Sequence, residues 1–126
     1  MRTILFVALA TTLMAGVALA QEPAKAGDSA KGKTLVDAKG MTLYTYDRDT
    51  AAGKSSCNGN CATNWPPLMA AADAKPAGSW TVITRDDGGK QWAYKGKPLY
   101  AFAKDTKAGD KTGDGFLNGA WHVAKP

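Results

Sequence analysis

At 126 residues the chain has room for one small domain around one modest core. Its formal net charge of +5 comes from lysines scattered singly, with no run of five or six like charges, which argues against a nucleic-acid partner and leaves solubility as the plainest use of the charge. One histidine, His122, and the absence of G-x-S-x-G, H-E-x-x-H or a phosphate-cradling glycine loop leave no recognisable catalytic constellation.

The chain opens with Arg2 as a short positive region, an apolar stretch over 4–13 and Ala18-Leu19-Ala20 as an A-x-A cleavage signal. Cleavage is expected after Ala20, giving an exported, soluble protein, periplasmic or secreted. The apolar stretch is too short and too rich in Ala and Thr for a permanent membrane span, so no transmembrane segment is expected after cleavage. Gln21, not a cysteine, stands immediately after Ala20, so no thiol is available there to carry a lipid. Residues 21–32 are polar, with Ala, Pro and Gly and no periodicity, and read as a flexible lead-in.

From 33 to 126 the chain punctuates as a single all-β domain, with short β-rich runs separated by Gly, Asp and Lys turns. Strands are expected at 33–38, 41–47, 80–85, 90–95, 98–104 and 120–124. Between paired runs lie Lys39-Gly40, the DDGG turn at 86–89 and Lys95-Gly96, where glycine supplies the positive φ that a tight hairpin needs. Pro66, Pro67 and Pro76 interrupt the loop at 64–79, and its middle, 68–74, is expected to form one short helical turn.

Within that domain one recipe occurs twice, displaced by 56 positions without a gap. Lys39-Gly40 falls on Lys95-Gly96, Leu43-Tyr44 on Leu99-Tyr100 and Tyr46 on Phe102. Asp49-Thr50 falls on Asp105-Thr106, Gly59 on Gly115 and Trp65 on Trp121. Two copies are too few for a solenoid, so a pair of like β-units around a common core is expected: repeat one at about 33–68, repeat two at about 80–126. Because residues two apart share a strand face, Tyr44 joins Tyr46, Tyr100 joins Phe102, and Trp92 joins Tyr94. These rings read as core, with an exposed aromatic platform for a glycan, quinone or peptide as the alternative.

Cys57 and Cys61, in CNGNC, are the only cysteines. In an exported protein a disulfide is the default, ahead of a catalytic dithiol or metal thiolates. So small a loop removes little chain entropy, about 2 kcal/mol, so the bridge shapes a loop rather than holding up the fold.

The pattern Tyr-x-[Phe/Trp/Tyr]-x-x-Asp occurs as Tyr44-Thr45-Tyr46-Asp47-Arg48-Asp49 and as Tyr100-Ala101-Phe102-Ala103-Lys104-Asp105. With CNGNCATNWPPL and WHVAKP, it closely resembles the bacterial secreted-repeat family, predicted lipoproteins with a conserved Yx(FWY)xxD motif. The resemblance covers about 33–126. It implies an envelope or secreted protein made of a tandem pair of repeats, and no established activity. The lipobox cysteine carried by many relatives is absent here.

As candidate chemistry, Asp49 and Asp105 at the strand exits read first as turn-shaping acceptors for backbone N–H groups. The sharper alternative sets them across a pseudo-twofold axis, sharing a proton or a cation. Asp105, Asp110 and Asp114 in DTKAGDKTGDG offer hard oxygen ligands for Ca²⁺, without the EF-hand pattern. His122 with Met41 or Met69 would be a copper set, although His122 reads first as a packed or surface side chain. No cofactor is expected. The sequence thus points to a non-catalytic envelope module that docks an unknown envelope protein or small ligand. The motif residues Tyr44, Tyr46, Asp49, Trp65, Tyr100, Phe102, Asp105 and Trp121 are its binding candidates. A metal-binding or thiol-redox protein is the alternative.

Overall fold

The computed structural model describes residues 25–29 and 32–126; the expected signal peptide and its cleavage site lie outside the described residues. In chain order the elements are β1 (Lys25–Ser29), β2 (Gly32–Val36), β3 (Tyr44–Tyr46), α1 (Asn60–Asn64), β4 (Trp80–Thr84), β5 (Lys90–Tyr94), β6 (Lys97–Pro98), α2 (Phe116–Gly119) and β7 (Trp121–Val123). The protein is all-β, built from antiparallel strands with two short helical turns.

The strands form where aromatic and β-branched residues concentrate, because such side chains fit a pleated, half-buried surface. WTVIT and KQWAY make the hairpin β4–β5, with Trp80 opposite Tyr94 and Val82 opposite Trp92. Its turn closes through Arg85 N–H to the Gly89 carbonyl, 2.8 Å, with Gly88 at φ +86°. β5 turns directly into β6 through Lys95 at φ +49° and Gly96 at φ +81°, the paired positive values of a type I′ hairpin.

Two expectations need correction. Lys25–Ser29, placed in a flexible lead-in, is a strand whose backbone pairs with Gly32–Val36. The segment 68–74 is extended over 68–70, and only 71–74 closes a single turn, Ala74 N–H to the Ala71 carbonyl at 3.0 Å. Leu68 N–H instead donates to the Leu99 carbonyl (2.9 Å), the Leu68 carbonyl accepts Trp92 N–H (2.8 Å), and Ala70 N–H donates to Lys90 (2.9 Å). Pro66 and Pro67 disfavour a helical approach, and the open edge of β5 satisfies the extended chain that follows. Strands β3 and β6 are also shorter than expected: ladder pairing is confined to Tyr44–Tyr46 and Lys97–Pro98, while Thr42 and Tyr100 form isolated bridges.

Repeat symmetry organises the rest. Tyr44 N–H donates to the Tyr100 carbonyl (2.7 Å) and Tyr100 N–H to the Tyr44 carbonyl (3.0 Å). The two residues are equivalent at the offset of 56, so this reciprocal pair marks a pseudo-twofold axis. Around it backbone bonds recur in twos: Leu68 N–H to Leu99 (2.9 Å) beside Ala124 N–H to Leu43 (2.8 Å), and Ala103 N–H to Asn64 (2.9 Å) beside Asp47 N–H to Ala120 (2.8 Å). Each bond joins the end of one repeat to the aromatic strand of the other; β7 likewise pairs with β3. The repeats are interlocked rather than side by side.

Two apolar clusters follow from strand alternation. Tyr44, Cys57, Trp65, Tyr100, Phe102, Trp121 and Val123 form one; Leu35, Leu43, Trp80, Leu99 and Ala124 form the other. Leu43 and Leu99 therefore face away from their tyrosine neighbours. Trp65 and Trp121 stack on each other, centroids 3.8 Å apart and 4° from parallel, flanked by Phe102 on Trp65 (4.0 Å) and Tyr46 on Trp121 (4.1 Å). Each such contact contributes about 0.5–1.5 kcal/mol beyond burial itself.

Gly113 packs directly against this stack: a Cβ there would lie 2.6 Å from Cη2 and 2.8 Å from Cζ3 of Trp65. Trp65 is held between Phe102 and Trp121 and has nowhere to retreat. Gly113→Ala is therefore expected to destabilise by about 1–3 kcal/mol, read as a lower urea midpoint with an unchanged m value.

Candidate functional site

The repeated motif assembles around the stack. Tyr44 Oη donates to Asp105 Oδ2 at 2.5 Å, and Tyr100 Oη donates to Asp49 Oδ2 at 2.6 Å. Each tyrosine thus reaches the aspartate of the other repeat. The second oxygen of each carboxylate accepts the backbone N–H and hydroxyl of the residue seven positions on. For Asp49 these are Ser56 N (2.7 Å) and Oγ (2.8 Å); for Asp105 they are Thr112 N (3.0 Å) and Oγ1 (2.5 Å). Asp49 and Asp105 are therefore turn-shaping groups that also accept across the repeat boundary. Each has its own tyrosine, so the two do not share a proton or a cation.

Both tyrosines are fully buried. Burial, then the hydrogen bond to the carboxylate, pushes their hydroxyls well above the usual tyrosine range. Trp65, Phe102 and Trp121 are also buried, and only Tyr46 of the candidate rings is partly exposed. The motif is core, not a platform. The large ring of Trp121 has one uncompensated group: its Nε1–H finds no acceptor among the described residues.

Cys57 and Cys61 are joined as a disulfide with Cα atoms 5.2 Å apart. The bridge ties the buried Cys57 to α1, which starts at Gly59 (φ +58°) and ends by aiming Trp65 into the stack. Its counterpart α2 starts at Gly115 (φ +81°) and carries left-handed backbone at Leu117 and Asn118, two non-glycine residues. Phe116 and Leu117 stand exposed beside Trp65 and Phe102, around an apolar hollow of about 280 Å³.

The aspartates suggested for calcium do not converge. Asp105 is engaged by Tyr44 and Thr112. Asp110 accepts Thr106 N–H (2.9 Å) and Lys107 N–H (3.2 Å), and the Thr106 bond in particular holds its carboxyl below the usual range; Asp114 accepts Val123 N–H (3.2 Å). Each carboxylate is engaged locally through at least one oxygen. For the copper set, Met69 lies beside Gly89 and Gln91 and Met41 sits in the turn it closes with Asp37, while His122 Nε2 faces Asp47 Oδ2 at 2.8 Å on the surface. Among the described residues no three His, Cys, Asp or Glu side chains are placed to hold a metal ion.

Sequence reasoning missed Arg85. It follows β4 in a charged TRDDGGK turn and reads as solvent-exposed, yet it is buried. Its Nη1 donates to Ser55 Oγ (3.0 Å) and Gln91 Oε1 (2.7 Å), and its Nη2 to the Cys57 carbonyl (2.5 Å). Ser55 in turn bonds the Tyr100 hydroxyl at 2.6 Å. A guanidinium, a hydroxyl, a phenol and the Asp49 carboxylate form one network, which ties the β4–β5 hairpin to the motif. Sequence offers little signal for this, because all the links but Arg85–Gln91, six positions apart, join residues 27 to 51 positions apart.

It also missed a charged cleft of about 450 Å³ between the β3–β7 pair and the β5–β6 hairpin. Leu99 and Val123 contribute to its floor; Lys95, Lys97, Lys125 and the His122–Asp47 pair stand around it. Lys95 Nζ sits 5.2 Å over the Tyr94 ring.

An all-β protein of two interlocked like repeats is the class that these features define. The chain belongs to the family described as secreted repeat of unknown function, whose model matches it twice, over residues 25–69 and 81–125. The matches start and end 56 positions apart, the offset of the internal repeat, and the first begins at β1. No curated protein and no solved structure was found to match. Among the described residues no helix is long and apolar enough to cross a membrane.

Removing either crossed bond leaves a carboxylate short of a donor, Asp105 buried and Asp49 half-buried. Tyr44→Phe and Tyr100→Phe are each expected to cost about 1–3 kcal/mol in urea denaturation. A cycle of Tyr100→Phe with Asp49→Asn should be non-additive, since each change already removes the shared bond. Alkaline pH gives a second readout. The folded tyrosines hold their protons past the pH at which unfolded ones, near 10, release theirs. Stability is accordingly complete below about pH 10 and falls as pH rises above it. In the Tyr44→Phe/Tyr100→Phe double variant that fall should be shallower, as measured by denaturation at stepped pH.

Proposed function

We propose that the protein is an exported, non-catalytic binding module of the cell envelope, periplasmic or secreted, and that the charged cleft is its working surface. One observation carries this reading. The polar groups of the repeated motif are engaged inside the scaffold, whereas the side chains around the cleft point polar atoms at an open, ligand-sized space. The family's description as a secreted repeat supports export. The cleft brings together one histidine and one aspartate already paired with each other, with no nucleophile and base aligned for bond-making. The alternative of a metal-binding or thiol-redox protein draws no support from the closed disulfide or from the dispersed aspartates.

The test is an NMR titration of isotope-labelled protein with the small-molecule fraction of its native envelope. Shifts are expected to gather on Thr45, Asp47, Tyr94 and Val123, with the bound compound recovered at unchanged mass. Shifts centred on Phe116 and Leu117, or recovery of a chemically altered compound, would contradict the proposal.

A further inference from the structure

The two repeats provide an internal comparison between what the fold needs and what it does not. Every residue lining the cleft has a counterpart at the offset of 56; Lys95 and Leu99 recur as Lys39 and Leu43, whereas five others change their polar chemistry. Thr45, Asp47, Lys97, His122 and Lys125 stand where the other repeat has Ala101, Ala103, Met41, Pro66 and Met69. The backbone around both sets is the same: Asp47 N–H donates to Ala120 as Ala103 N–H does to Asn64, and Ala124 N–H to Leu43 as Leu68 N–H does to Leu99. One face therefore folds with alanine, methionine and proline where its twin carries charge. Folding does not require the charges of Lys97 and Lys125, and their confinement to one of two equivalent faces needs another reason.

The sign of the charge supplies that reason. Lys95, Lys97 and Lys125 border the cleft, and among the described residues none of the three forms an ion pair. The one acid there, Asp47, is matched by His122 at 2.8 Å. Three ammonium groups over a partly apolar floor create a positive potential inside a concavity, where low-dielectric walls focus it. The volume, about 450 Å³, is that of a small-molecule pocket rather than of a surface laid against a bilayer.

We infer that this cleft binds a small soluble anion carrying carboxylate or phosphate groups, with Lys97 and Lys125 as the principal charge contacts and Leu99 and Val123 beneath the ligand. The inference rests on the binding-module reading and gives its ligand class. His122, held by Asp47, fixes one wall, and Lys95 is placed by the Tyr94 ring.

The experiment uses the whole mature chain, with inorganic pyrophosphate and citrate as separate probes followed by NMR. Saturable shifts are expected at Thr45, Lys97, Val123 and Lys125 and not at Met41, Pro66 or Met69, weakening as salt is added. The variant is Lys97→Met/Lys125→Met, which gives the cleft the residues of its own twin and is therefore expected to fold. Its affinity should fall by about tenfold or more while its urea midpoint stays put. Vesicles of phosphatidylglycerol form a second arm, against phosphatidylcholine. Unsaturable shifts, binding that survives the double variant, or binding to anionic vesicles without response to either soluble anion would each overturn the inference. If neutral envelope compounds shift the cleft residues while both anions do not, the ligand class is wrong and the binding module stands. If cleft residues respond to nothing, both readings fail.

Discussion

Tyr44 and Tyr100 each donate a phenolic proton to a carboxylate that belongs to the other repeat, and the architecture is arranged around that exchange. Hydrogen bonds to an ionised acceptor are stronger than neutral ones, and burial strengthens them further. The same burial makes the bond to Asp105 costly to lose, since that buried carboxylate without its donor has no water to replace it. Two backbone bonds between the tyrosines hold the pair on the axis, and the Trp65–Trp121 stack fills the space beside it. Neither repeat contains both partners of its own motif. The Tyr-x-aromatic-x-x-Asp phrase is a joint whose two halves must come from different repeats.

This arrangement separates scaffold from surface. What recurs at the offset of 56 is what holds the chain together: the tyrosines, the aspartates, the paired tryptophans and the glycines that start α1 and α2. What differs between copies is free of that duty. Arg85 is the instructive intermediate. It is asymmetric but buried, and its bonds to Ser55, Gln91 and the Cys57 carbonyl fasten the hairpin onto one crossed tyrosine. A buried guanidinium needs all its donors satisfied to be tolerated, and here the disulfide loop supplies an acceptor. Cys57–Cys61 accordingly shapes the loop that receives Arg85 and aims Trp65. The charged cleft differs again: its charges face outward, and the equivalent face folds without those of Asp47, Lys97 and Lys125.

Much of this was legible in the residues. Strand positions followed from runs such as WTVIT and KQWAY, and the positive φ at Gly40 and Gly96 from their turns. Pairing of the cysteines followed from spacing and export, and core placement of Tyr44, Tyr100 and Phe102 from alternation. What stayed hidden is non-local. A periodic pattern says that Tyr44 points inward but not that its acceptor is Asp105 rather than Asp49. Leu68 looked helical because its neighbours are good helix formers; tertiary pairing with Leu99 and Trp92 overrode that preference. Lys25–Ser29 lacks strand propensity and is a strand only because β2 lies alongside. The charged cleft draws on residues from 45 to 125, so no local window contains it.

The central claim is that the repeats form one interlocked unit. Native-state hydrogen exchange tests it most directly, because it reads the opening free energy of each amide in the intact protein. Leu68 and Tyr100 report on one crossing, Ala124 and Tyr44 on the other. The account predicts that all four exchange with a common free energy equal to that of global unfolding. Exchange of Leu68 and Tyr100 through an opening distinctly cheaper than that of Tyr44 and Ala124 would contradict it, since one half would then come apart while the other stayed closed.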